Sequence, residues 1–203
     1  MIKLGDSIFR DFYDNEFNNK SKLIYNRVRK LFKNRMEELS FLESKHIKTV
    51  NFGSLYSVGI HDRYVVYTDI TSHNFEGKRI ENYSTVVNIY SNFLLSEFLD
   101  ESQGYMIKYL QVGRRRFRIL YYNERYNNLL ANGKMIDVQE LEASYNDNIA
   151  LPIYSIDFVS KGMEMIAVDF NEIENLSKIG ADKFLSSEEV IEELYKAILR
   201  YSF

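Results

Sequence analysis

The chain has 203 residues, 45% apolar and 15% aromatic (all Tyr and Phe), with a formal net charge of −3. That length and apolar content allow one sizeable core in a single domain of one or two lobes, and the acidic balance argues against a general nucleic-acid binder. The absence of cysteine excludes disulfides, thiolate catalysis and Cys-ligated zinc.

Lys20 to Glu43 predicts a long helix: Leu23, Val28, Leu31, Phe32, Met36, Leu39 and Phe41 recur near helical spacing with charged residues between them. Ile47 to Val50 and Tyr64 to Ile70 (YVVYTDI) read as strands, with turns at Asn51, Gly53 and His61-Asp62. Thr71 to Lys78 is polar and loop-like. Ser84 to Asn92 reads as a helix and Phe93 to Leu99 as a short segment. Tyr105 to Val112 and Phe117 to Tyr122 form a hairpin around Gly113 and three arginines. Arg125 to Ala150 reads as a long irregular excursion, with a helical piece at Val138 to Ala143. Ser186 to Tyr201 closes the chain as a helix, with Ser186 and Glu189 spaced as a capping box and Val190, Ile191, Leu194, Ala197 and Ile198 as its apolar stripe.

The segment Ile153 to Glu172 (IYSIDFVSKGMEMIAVDFNE) carries the chemistry. Side chains alternate across a strand. Tyr154, Ile156 and Phe158 therefore share one face and Asp157 the other. In the partner strand Ile166, Val168 and Phe170 oppose Ala167, Asp169 and Asn171. For Asp157 and Asp169 to share a face, the turn needs an odd number of residues or a bulge. A five-residue turn over Ser160 to Glu164 would set Asp157 opposite Ala167 and diagonal to Asp169, about 7 Å away. Two such carboxylates repel unless a cation or proton neutralises them. Magnesium, with its preference for hard oxygen ligands and phosphate oxygens, suits the set. Two exposed aspartates on the solvent side of a hairpin are the alternative reading of the same pattern.

Asp157, Asp169 twelve positions on, and Asn171 two further on resemble the end of the catalytic core in the ATP-grasp superfamily of carboxylate–amine ligases, in particular the branch of ribosomal-protein glutamate ligases. The resemblance implies that these three residues bind magnesium. Ser96-Glu97-Phe98-Leu99 is similar to the family's hinge, which implies that Glu97, Phe98 and Leu99 receive adenine through backbone groups. Lys108, in YMIKYLQVG, stands near a family arginine, and Arg125 near a later substrate- or phosphate-contacting one, which implies catalytic roles for both. Val65-Val66-Tyr67-Thr68 matches a family strand that carries a phosphate-binding lysine where this chain has Tyr67. The Gly-rich lid that should follow has a single glycine here, Gly77, and Lys78 or Arg79 beside it would supply the missing charge.

The resemblance covers roughly Tyr64 to Phe203. It implies an α+β, ATP-grasp-like fold of two small lobes (1–98 and 99–203) with antiparallel sheets and flanking helices. It implies ATP and Mg2+ as cofactors, and an acyl-phosphate ligase joining a carboxylate to an amine or thiol. The alternative is a catalytically degenerate module serving nucleotide binding or protein interaction. The family carries a further N-terminal α/β domain for which about 50 residues are too few, so the expectation is a minimal member, a substrate site completed by a partner, or lost catalysis; a protein or peptide substrate is a further expectation. No apolar run reaches the roughly 18 residues of a membrane span, and the N-terminus is too polar for a signal peptide, so a cytoplasmic location without membrane contact is expected. Arg114 to Arg118 is the sharpest basic cluster and reads as a solvated hairpin tip; the other readings of it are a nucleic-acid contact and an arginine facing nucleotide phosphates. His46, His61 and His73 lack metal-ligand spacing.

Overall fold

Asn34 starts the first helix among the described residues. Its backbone is extended (φ −160°, ψ 169°) and its side-chain oxygen accepts from the Glu37 amide at 3.0 Å, satisfying one donor of the first turn. Helix α1, Arg35–Ser44, follows, with Glu37 and Glu38 in its first turn as the helix dipole favours. The computed structural model describes residues 32, 34–69, 77–100, 104–122, 134–142, 149, 151, 153–171, 176, 179–186 and 188–193. A continuous helix from Lys20 to Glu43 is therefore corrected: the extended cap at Asn34 breaks it, and 20–31 lie outside the described residues.

Two antiparallel sheets follow. The first has the order β1-β4-β2-β3, from Phe52–Gly53 (β1), Arg63–Tyr67 (β2), Lys78–Asn82 (β3) and Leu94–Glu97 (β4). Helix α2 (Leu55–Val58) follows β1. Helix α3 (Tyr83–Thr85) runs into a π-helical turn, Val86–Tyr90, after β3. Val58, Tyr64, Val66, Val86 and Leu95 form a core on one face of this sheet, under the helices. Alternation sends Val65, Tyr67 and Ser96 to the other face.

The second sheet has the order β7-β6-β5-β8-β9: Tyr105–Val112 (β5), Arg115–Tyr122 (β6), Lys134–Leu141 (β7), Ile153–Lys161 (β8) and Glu164–Asn171 (β9). On one face Tyr154, Ile156, Phe158 and Phe170 pack against Leu39 and Leu42 of α1. Phe41 meets Phe170 with ring centroids 5.5 Å apart. On the other face Leu110, Val112, Phe117, Ile119 and Ile153 pack against Leu185 and Val190. Lys48 to Val50 lies alongside β9 in parallel, exchanging backbone hydrogen bonds with Ala167 at 2.9 and 3.0 Å and covering that edge.

The β7 strand overturns the helix expected at Val138–Ala143 and the irregular reading of 134–141; of the remaining excursion only 142 and 149 lie among the described residues. The strand's half-buried positions, Met135, Val138 and Leu141, are three residues apart and imitate a helical period. A register shift opposite Leu120/Tyr121 leaves Ile136 unpaired and exposed, which resets the alternation mid-strand.

At the C-terminal end the predicted capping box is present. The Ser186 amide donates to Glu189 Oε2 at 2.8 Å and the Glu189 amide to Ser186 Oγ at 3.2 Å. Residues 188–193 are helical, and 194–203 lie outside the described residues. Arg115 ties this helix to the sheet, donating twice to Glu140 of β7 at 2.7 and 2.8 Å and once to Glu189 at 2.6 Å. The Arg115 hydrogen bond holds the Glu140 carboxyl below the ordinary range. The Ser186 amide, and then Arg115, do the same for Glu189.

Both carboxyls are thus more acidic folded than unfolded. Their contribution is present above the unfolded value near 4.5 and is lost as pH falls through the lower folded values. Chemical denaturation from pH 7 to pH 3 should show wild-type stability falling with acid, and Arg115→Met should flatten that fall. An unchanged slope in the variant would sink this account.

Candidate functional site

The site gathers where the inner face of the first sheet meets the Asp157 face of the second. Strands β8 and β9 are joined by a two-residue turn, with Lys161 opposite Glu164 and Gly162 at φ 59°. The five-residue turn is therefore corrected. The register is set by a bulge: below it Phe158 pairs Ala167, above it Asp157 pairs Asp169 directly, and Val168 is the extra residue. Asp157 and Asp169 are thus direct neighbours, closer than the expected diagonal, and Asn171 pairs Ser155 on the same face. Ala167 moves to the apolar core, contrary to simple alternation.

Each carboxylate meets a buried cation. Lys108 pairs Asp157 across β5 and β8 and places Nζ 2.6 Å from its Oδ1 and 3.2 Å from Ser155 Oγ. Lys108 and Asp157 are 6% and 7% exposed, so their mutual neutralisation is what permits burial. Asn171 Nδ2 donates to Ser155 Oγ at 3.4 Å. Arg35, 3% exposed on the first turn of α1, pairs with Asp169 and, at 2.7 Å, with Glu38. Arg35, Glu38 and Ser155 are members that the sequence reading missed. Asn34 followed three residues later by Glu37 does mark a helix start, which sets Arg35 at a helix N-terminus but says nothing of its burial.

The first sheet contributes Tyr67 and Lys78. They pair directly across β2 and β3 and so share a face, with Lys78 Nζ 5.8 Å from the Tyr67 ring centre. Burial raises the Tyr67 hydroxyl, which bonds Ser96 Oγ at 3.1 Å. Burial, then the Arg35 guanidinium, pulls the Lys78 ammonium down to about 7, against the pull of Glu38 and Asp157. Asp157 and Glu38 are therefore electrostatic neighbours of Lys78, which brings groups of both sheets into one field.

The hinge residues lie on and just after β4. Glu97 and Phe98 donate their amides to Asn51 O (3.0 Å) and Arg63 O (3.3 Å). The Glu97 carboxylate is 8% exposed. It pairs with Lys161 of β8 and stands 3.6 Å from His61 Nδ1, a bridge between the two sheets. Phe98 lies under the Arg63 guanidinium, 4.6 Å from ring centre to Cζ, and Leu99 is buried in the α1 core. Arg125 lies outside the described residues.

The arginine cluster is corrected as well. Arg115 is held by two glutamates, and Arg116 is 5% exposed, donating to Gln111 Oε1 and Tyr154 OH at 2.7 Å each. Neither is a solvated tip residue.

Among solved structures, the chain is similar to D-alanine–D-alanine ligase from Bacillus anthracis complexed with ATP (TM-score 0.53, 13% identity, 85% of this chain and 68% of that one). It is also similar to macrocyclase MdnB from Microcystis aeruginosa (TM-score 0.55, 11% identity, 94% and 67%). A third is macrocyclase MdnC from the same organism, bound with precursor peptide MdnA (TM-score 0.51, 11% identity, 87% and 62%). The chain has the ATP-grasp fold. The chain spans about two thirds of the length of these proteins. No family model and no curated protein matches it.

In this ATP-grasp fold the donor set suits magnesium in its chemistry, since two carboxylates and a carboxamide share one face of the β8–β9 hairpin. Among the described residues no three acidic or histidine side chains form a metal cage by themselves. Among the described residues no helix is long and apolar enough to cross a membrane.

Proposed function

We propose that the chain binds ATP with magnesium between its two sheets, as lobes 1–98 and 99–203, and activates a carboxylate as an acyl phosphate for attack by an amine or thiol. The observation that carries this reading is the Asp157–Asp169 pair, set by the β-bulge beside Asn171 on the face that also meets Lys108 and Arg35. The ATP-grasp fold supports it, as does the ATP bound to the Bacillus anthracis ligase.

Asp157, Asp169 and Asn171 would hold magnesium, which when bound neutralises phosphate charge. Lys108 and Arg35 give the phosphates cationic contacts, with Arg125 as a further catalytic cation. Lys78 stands opposite Tyr67 and so places an amine one strand over from the position where Tyr67 lacks one; burial and Arg35 oppose its charge until an anion enters. Glu97, Phe98 and Leu99 frame adenine through backbone groups other than the Glu97 and Phe98 amides, which are given to Asn51 O and Arg63 O. The carboxylate substrate is a protein or peptide end or side chain, a class supported by the precursor peptide on macrocyclase MdnC.

A second reading rests on Tyr67 and on the ion pairs that occupy both aspartates: a module that binds nucleotide without turnover, serving protein interaction. Thermal melting with millimolar non-hydrolysable ATP analogue and magnesium tests the binding that both readings share. At about 100 times Kd the ligand stabilises by roughly 2.7 kcal/mol. A magnesium-dependent rise is expected, and no rise in any nucleotide would refute both. Phosphate release from ATP with candidate amines then separates ligase from module.

A further inference from the structure

Each aspartate of the site described above already has a counter-cation. Arg35 and Lys108 lie against Asp169 and Asp157, Glu38 shares Arg35, and all but Asp169 are under a tenth exposed. Lys78 and the Tyr67 hydroxyl face the same cluster from the first sheet. A lone divalent cation entering here meets carboxylates that already have counter-charges, and it meets the guanidinium and ammonium behind them. A lone polyphosphate meets two carboxylates on the same face as the cations. In either case the newcomer adds uncompensated charge to a buried place, where repulsion is poorly screened. Entering together, the two allow an exchange of partners: carboxylates pass to the metal, while Arg35 and Lys108 pass to phosphate oxygens.

We infer that Arg35 and Lys108 act as built-in counter-cations, which keep the aspartate pair closed to a lone metal and make metal and nucleotide bind only as a pair. This rests on the nucleotide reading and adds a rule of order to it. Arg35 is the positioning element of the device. It reaches the site from α1, which precedes both sheets, so the state of the site is linked to the docking of that helix through Leu39, Leu42 and Phe41.

The test uses Mn2+, an oxygen-preferring ion of the same charge as magnesium, followed by electron paramagnetic resonance, with ADP as the nucleotide. In the wild type, ADP should tighten Mn2+ binding by about ten- to a hundredfold, and by linkage Mn2+ should tighten ADP by the same factor. Arg35→Gln should bind lone Mn2+ about tenfold more tightly than wild type and lose a similar factor of coupling, while Arg35→Lys keeps the coupling. Lys108→Gln provides a second release of the same kind should Arg35→Gln fail to fold.

Equal Mn2+ affinity with and without ADP in the wild type would overturn the inference and leave the nucleotide site standing. So would coupling left unchanged by both Gln variants. Absence of binding with both ligands present would overturn the nucleotide reading itself, and the inference with it.

Discussion

Asp157→Ala is expected to cost about 3–5 kcal/mol of stability, the usual consequence of stranding one member of a buried ion pair. Lys108 is 6% exposed and its ammonium stands 2.6 Å from the carboxylate that the substitution deletes. Ser155 Oγ, at 3.2 Å, is a neutral acceptor and cannot balance the charge. The double variant Asp157→Leu with Lys108→Met removes both charges and should recover most of the loss, because apolar replacements of buried pairs are often neutral or stabilising. Urea denaturation of the two proteins measures it. A single variant within 1 kcal/mol of wild type would show that the pair is solvated.

Gly113→Ala should cost about 2–4 kcal/mol, combining left-handed strain of about 1 kcal/mol with overpacking of about 1–3 kcal/mol. Gly113 has φ 58° at the turn between β5 and β6, and an added Cβ would sit 2.6 Å from both Glu193 Cβ and Glu193 O. Backbone of the terminal helix would have to move, and the Arg114 amide would lose its 2.8 Å bond to Glu193 Oε2. Hydrogen exchange should therefore rise first in residues 188–193, ahead of β5 and β6. Uniform protection across the molecule would show that the turn relaxes without undocking the helix.

Much of this architecture is legible in the chain. Long apolar alternations gave β5, β6, β8 and β9, and the Ser186–Glu189 box marked the last helix start. Asp157, Asp169 and Asn171 were readable as one face because their spacing demanded either an odd turn or a bulge, and the bulge is present. Three things were hidden, each for a physical reason. Edge strand β7 buries every third residue, so it carries no period of two. The α1 start at Asn34 was masked by apolar residues that continue upstream at helical spacing. Arg35 and Glu38 were hidden because no local pattern tells a buried charge from an exposed one; only Asp169, far along the chain, reveals it.

The bulge at Val168 also bears on how descent would be traced. Without Val168 the same hairpin, zipped from Lys161–Glu164 through Phe158–Ala167, would still deliver an aspartate opposite Asp157, one position sooner. The interval between the two acids is therefore free to differ by one among chains that share the geometry. What inheritance must preserve is the parity of pairing, not the count of letters. A pattern keyed to a fixed twelve-residue interval would separate kin that a register-aware comparison unites.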